Sequence, residues 1–272
     1  MGANAKPDKA GRIDFYRDPD LPFLELKLFR RGLHAYRKHS HEEYSLGLVE
    51  AGSTRFWFEG RDFRVDPGEL ILIPPQTLHS CSPQDQENWS YCMFFIQPGW
   101  VQGMTRDTGL EIGRRVLLHP DGRMVRELVE AMVGGATPLE KEEGLISVFS
   151  RILGSPEGEL KCEAVRGPGH PRLKQVKELL DESFLDKVTL DTLERVSGLN
   201  RFYLVRAFKA EYNLPPHAYQ TLLRVNYAKR ILLGPGRIPD IAINAGFYDQ
   251  SHFTKVFKQY TGVTPESYQK SI

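Results

Sequence analysis

Two cations, Arg206 and Lys255, hold the same place in two segments that nearly repeat one another. On an exposed helix face such groups grip phosphates or read bases. Arg201, Phe202 and Val205 surround the first, and Gln250, Ser251 and Thr254 surround the second. Glutamine can pair adenine through two hydrogen bonds and arginine can pair guanine, while lysine suits phosphate equally well. A second constellation is His39-Ser-His41 together with His79. Three neutral imidazoles can hold zinc or another divalent ion with one position open, or can line a polar pocket. No nucleophile–base pairing and no phosphate-binding glycine loop is visible in the sequence.

The repeat defines the elements that must position the first set. Leu204 matches Phe253, Arg206 matches Lys255, Phe208 matches Phe257 and Lys209 matches Lys258, all at an offset of 49 residues. A repeat of that length is one supersecondary unit used twice. Thr189 predicts a capped helix over 190–197 that Gly198 ends, and Asn200 predicts a second over roughly 201–211. In the later copy, Pro239 or Asp240 opens a helix that Gly246 stops, and Asp249 opens the next. Pro216 to Leu233 reads as one long connecting helix. Lys209 and Lys258 close their helices, where a cation also complements the helix dipole.

At these residues the chain resembles the AraC/XylS family of bacterial transcription regulators. The most specific part is Ile241-Ala-Ile-Asn-Ala-Gly-Phe-Tyr-Asp-Gln-Ser-His-Phe-Thr-Lys-Val-Phe-Lys258, followed by Gly262-Val-Thr-Pro265. The resemblance covers about the last hundred residues and implies seven helices, with two helix-turn-helix units on one connecting helix. It also implies base-reading roles for Phe202, Val205, Arg206, Gln250, Ser251 and Lys255, and double-stranded DNA and RNA polymerase as partners. Val205 departs from the polar residue common at its position, which leaves it a methyl contact or mere packing. Two recognition helices roughly 34 Å apart can enter successive major grooves of one duplex.

Charge agrees once the chain is divided. The formal net charge is only +1, but residues 171–272 carry 15 Lys and Arg against 10 Asp and Glu, leaving 21 against 25 for the rest. A basic module beside an acidic one suits DNA binding by the first and another task for the second. The length of 272 residues predicts two domains. No apolar run is long enough to span a membrane, no secretory leader is visible, and Cys81, Cys92 and Cys162 lack metal-type spacing. A cytoplasmic protein with reduced thiols is expected.

The N-terminal half is aromatic and β-branched, with turn residues every eight to twelve positions. Strands are predicted at 44–50, 54–59, 69–73 and 89–96, giving a barrel or jelly roll. Through His39-Ser-His41, Gly52, Pro67-Gly68 and His79 this half resembles a cupin-type sensory domain. His39 and His41 are expected on one face of a strand, with His79 on an adjoining loop and Trp57 in a strand. Together the four predict a pocket for a small organic effector, with no metal and no cofactor. In metal-binding cupins a glutamate follows the second histidine by four or five residues; Ser45 and Leu46 stand there instead. His34 and His119 read as surface or packing residues.

The fold class is therefore α+β and multidomain: a cupin-like β-barrel with a helical pair, then an all-α domain with two helix-turn-helix units. Residues 1–20 are expected to form a mobile arm, 21–120 the effector-sensing domain, 121–154 the helical pair, 155–170 a linker and 171–272 the DNA-binding domain. In the pair, Met124, Leu128, Val129 and Met132 form one apolar stripe and Leu145 to Leu153 another, suited to covering the barrel. The resemblance adds homodimer formation as a second role for a helix here. Two functions compete: a ligand-responsive transcription regulator that activates, and a metal-dependent cupin enzyme with an accessory DNA-binding domain. The missing glutamate favours the regulator, which is not an enzyme.

Overall fold

The computed structural model describes residues 11–32, 36–84, 88–108, 115–154, 159–163 and 170–271. Two compact units emerge, one drawn in the main from residues up to Glu163 and the other in the main from Ala164–Lys270.

The first unit carries strands β1 (Arg12–Arg17), β2 (Leu24–Arg30), β3 (Tyr44–Ala51), β4 (Thr54–Phe58), β5 (Arg61–Val65), β6 (Leu70–Ile73), β7 (His79–Pro83) and β8 (Ser90–Ile96). Helix α1 (Pro98–Thr108), strand β9 (Arg115–His119), helices α2 (Arg123–Gly134) and α3 (Pro138–Gly154), and strand β10 (Glu159–Glu163) complete it. The strands form an antiparallel seven-stranded sheet, ordered β1-β2-β8-β3-β6-β9-β10, and a three-stranded sheet, β5-β4-β7.

Strand alternation gives the large sheet two different faces. Leu26, Leu28, Leu46, Leu48, Leu70, Leu72, Phe94 and Ile96 share one, and they form a single core with Leu128 of α2 and Leu145 and Phe149 of α3. Each such buried side chain contributes about 1.5–3 kcal/mol by leaving water. The other face carries Lys27, Phe29, Ser45, Val49, Tyr91 and Phe95 at the intervening positions. Helix α3 is tied down by Lys141, whose ammonium lies 2.6 Å from Asp18, and by Glu142, which accepts from the Trp100 indole at 2.6 Å.

Two expectations fail here. Residues 12–17, placed in a mobile arm, form β1 against the whole length of β2. Residues 159–163, placed in the linker, form β10 against β9. Polar composition hid both, because an edge strand has no second neighbour and needs little apolar surface. His34 and residues 164–169 of the expected linker lie outside the described residues.

The second unit contains α4 (Pro171–Glu182), α5 (Leu190–Ser197), α6 (Arg201–Tyr212), α7 (Pro216–Leu232), α8 (Ile238–Asn244), α9 (Gln250–Thr261) and α10 (Pro265–Lys270), seven helices among the described residues. The caps are those the sequence dictates. Thr189 accepts from the Thr192 amide at 3.2 Å, Asn200 from Phe202 at 3.0 Å and Asp249 from His252 at 2.7 Å. Gly198, with φ of 63°, and Gly262, with φ of 89°, supply the left-handed stops of α5 and α9. Leu193, Leu204 and Phe208 pack with Leu173, Val176 and Leu180 of α4 in one cluster. Phe253 and Phe257 pack edge to face at 5.4 Å, with Phe247 and Tyr268 on either side. The matched apolar positions of the repeat, Leu204 with Phe253 and Phe208 with Phe257, are thus buried.

Candidate functional site

Burial of Leu204 and Phe208 turns the opposite side of α6 to solvent, leaving Phe202, Tyr203, Arg206 and Lys209 exposed. Burial of Phe253 and Phe257 does the same for α9, exposing Gln250, Ser251, Lys255 and Lys258. Arg206 and Lys255 therefore occupy equivalent exposed positions. Val205 and Thr254 are half-buried, and Val205 packs against the core of its own helix pair. The Phe202 ring is 75% exposed, an unusual position for a benzyl group that serves only packing.

Arg201 differs from the rest. Its guanidinium lies 2.7 Å from Asp191 and 3.0 Å from Glu194, so it bridges the start of α6 to α5. Two carboxylates of α5 facing the incoming helix explain that choice, and they compete with any base or phosphate for the same group. Tyr248, which sequence reasoning passed over, is 89% exposed. It is the extra residue of the second turn, since Gly198-Leu199-Asn200 corresponds to Gly246-Phe247-Tyr248-Asp249. That one-residue insertion was the signal that could have found it.

His41 and His79 belong to the first unit and His39 to the second. His39 Nδ1 is 2.6 Å from the Arg37 carbonyl and His79 Nδ1 is 2.8 Å from the Thr77 carbonyl. A carbonyl can only accept, so both rings carry the proton on Nδ1 and the lone pair on Nε2. Burial holds the His79 imidazolium down to a pKa of about 4, against a smaller opposing effect of the Thr77 carbonyl. His41 packs at 5.2 Å from the His79 ring and 4.9 Å from Phe95, while Phe56 stacks on His79 at 5.8 Å.

The geometry corrects three expectations. His39 and His41 precede β3 rather than lying in a strand, and His79 opens β7 rather than sitting on a loop. Trp57 pairs with Ser80, whereas Phe58 pairs with His79. Strand alternation thus sends Trp57 to the face opposite His79, away from the grouping predicted for it. His119 is a buried β9 residue whose Nδ1 accepts from the Asp121 amide at 3.1 Å.

Lys27 was missed altogether. Its ammonium donates to the Tyr36 hydroxyl at 2.9 Å, Tyr91 donates to the same oxygen at 2.7 Å, and the Tyr36 ring lies 4.6 Å below the cation. Burial pushes the Tyr36 and Tyr91 hydroxyls well above their usual range, and the Cys81 thiol up to about 12. The alternation of Leu24-Glu-Leu-Lys-Leu28 reads as one wet face, but that face turns inward.

The double-sheet unit and the paired helix-turn-helix unit together define a ligand-binding domain joined to a DNA-binding one. The family described as the AraC-like ligand binding domain matches residues 26–149, and the one described as a helix-turn-helix domain matches residues 193–271. The chain is 28% identical over 241 residues to the HTH-type transcriptional regulator YbfI of Bacillus subtilis, covering 86% of this chain and 87% of that one. It is 31% identical over 112 residues to the virulence regulon transcriptional activator VirF of Yersinia enterocolitica, covering 41% of each. Crystal structures of ToxT from Vibrio cholerae share the fold. An apo variant gives a TM-score of 0.57 at 15% identity over 92% of this chain and 97% of that one. A form bound to an unsaturated fatty acid gives 0.56 at 14% identity over 98% of each. The chain belongs to the AraC-type family of DNA-binding transcription regulators. No described helix is long and apolar enough to cross a membrane.

Proposed function

We propose that this regulator reads DNA with α6 and α9 in successive major grooves, and that a small-molecule effector held in the first unit changes how it does so. The observation that carries the reading is the equivalent exposure of Arg206 and Lys255 on two independently capped helices. Phe202, Arg206, Gln250 and Ser251 are the base-facing set, and Lys255 grips phosphate beside them. Thr254 and Val205 flank it, and Lys209, Lys258 and Tyr248 are placed for backbone contacts. Arg201 acts by holding α6 to α5.

The effector would lie between the sheets, where Lys27, Tyr36, Tyr91 and Phe95 adjoin His41 and His79. That ToxT has been crystallised with an unsaturated fatty acid supports a small-molecule role for a unit of this architecture. The name of VirF supports activation, which requires contact with RNA polymerase. Val133, Leu139 and Ile146 are exposed apolar residues of α2 and α3 suited to a homodimer. The setting is the cytoplasm, and the chain is not an enzyme. Effector energy reaches DNA only through tighter binding to one arrangement of the protein than to another.

The test is a gel shift on the upstream region of the protein's own gene, repeated with a panel of small organic molecules and with His79→Ala. The expected outcome is specific binding that one molecule alters, with the alteration lost in the variant. Binding that is equal for all sequences would sink the reading.

A further inference from the structure

We propose that Phe202 reads the 5-methyl group of a thymine, and so makes α6 select a thymine beside the base that Arg206 contacts. Such readout rests on the docking of α6 in a major groove proposed above, and adds to it the chemical group recognised.

The Phe202 ring is 75% exposed, and an apolar ring in water forgoes the gain that drives such groups inward. Its backbone is fixed all the same. The Phe202 amide donates to Asn200 Oδ1 at 3.0 Å, the cap that starts α6. The ring therefore springs from a set point on the first turn of the helix. Val205 and Arg206 stand three and four residues further on, so the three side chains share one face. Val205 is half-buried and packs on the cluster of Leu204 and Phe208, which broadens the apolar surface beside the ring. Arg206 and Lys209 are exposed. Helix α6 thus presents an apolar patch at its start with cations behind it, a combination that suits an anionic partner carrying one apolar feature.

Duplex DNA is such a partner. The major-groove edges of the bases offer hydrogen-bonding groups and, at thymine alone, a methyl. A phenyl ring has no hydrogen bond to give the former and packs well against the latter. Recognition helices meet base edges with their N-terminal residues, which is where Phe202 stands. At the repeat's offset of 49 residues the matching position of α9 is Ser251, a hydroxyl in place of the ring. The two helices therefore differ in chemistry at an equivalent exposed place.

The probe is the full-length chain on a duplex site selected from random DNA, with each thymine in turn replaced by deoxyuridine. That replacement keeps every hydrogen-bonding group and removes only the methyl. Fluorescence anisotropy should find a thymine, within the patch that Arg206→Ala weakens, whose replacement lowers affinity about fourfold, the value of one buried methyl. Phe202→Ala, its folding checked by circular dichroism, should bind the thymine and deoxyuridine duplexes alike. Phe202→Leu, which keeps an apolar side chain, should recover part of the difference. Specific binding by the wild type that ignores deoxyuridine throughout that patch overturns the proposal and leaves the docking of α6 in place. A penalty that persists unchanged in Phe202→Ala also overturns it, because another group then reads the methyl. Wild-type affinity in Phe202→Ala does the same, and assigns the ring to a protein partner. Equal binding to all sequences would sink the docking itself, and the methyl readout with it.

Discussion

Gly246 lies directly against the guanidinium of Arg224: a Cβ on this glycine would stand 2.8 Å from Arg224 Nε and 3.0 Å from the Leu185 carbonyl oxygen. Arg224 in turn donates to the Phe184 carbonyl at 2.7 Å and the Asp186 carbonyl at 2.9 Å. The turn of the second helix-turn-helix, the connecting helix α7 and the loop after α4 therefore meet at one glycine with φ of +79°. Gly246→Ala adds both a left-handed penalty and an overlap, together about 1–3 kcal/mol. The melting temperature of the second unit should fall by roughly 5–15 °C. A calorimetric trace matching the wild type would show that the contact is looser than described.

Arg206 and Lys255 are expected to differ in kind despite their equivalent places. Arg206→Ala should cost about 1–3 kcal/mol on the specific site and relax preference at one base pair. Lys255→Ala should weaken all sequences alike and reduce the salt slope by about one unit, the signature of a phosphate contact. Fluorescence anisotropy at several salt concentrations separates the two, and wild-type affinity in both variants would refute the placement.

The Asp18–Lys141 pair predicts an acid-sensitive first unit. The hydrogen bond from Lys141 holds the Asp18 carboxyl below its ordinary range, which is about 3.9. A group with a depressed folded-state pKa stabilises above its unfolded value, and that contribution fades as pH falls through the folded value. Both side chains are nearly enclosed, so Asp18→Asn should destabilise the first unit at neutral pH. Wild type and variant should converge in urea unfolding as pH drops below the carboxylate range. Equal stability at neutral pH would mean the pair contributes nothing there.

Residues 171–272 should fold and bind DNA without the rest. Both apolar clusters, the caps on Thr189, Asn200 and Asp249 and the Arg224 tether come from within that stretch. The fragment should retain helical circular dichroism and specific binding, while losing any response to effector. An unfolded fragment would show that residues before 171 are structurally required.

The second unit was far more legible in the sequence than the first. Thr189, Asn200 and Asp249 announce helix starts through side-chain chemistry that acts within three residues, so local reading suffices. β1 and β10 gave no such signal, because their stability comes from one distant partner strand each. Lys27 and Trp57 show the same limit. Alternation told that they face opposite ways from their neighbours, but only the placement of the second sheet decides which way is inward. The proximity of His39 and His41 was visible as spacing. The carbonyls that orient the rings depend on backbone geometry that spacing does not contain.

One chain is expected to read two successive major grooves with α6 and α9. Hydroxyl-radical footprinting on a site selected from random DNA tests it most directly. The predicted result is two protected patches on one face of the duplex, about 10–10.5 base pairs apart. Arg206→Ala should weaken one patch and Gln250→Ala the other. A single patch, or two that both substitutions leave intact, would contradict the account.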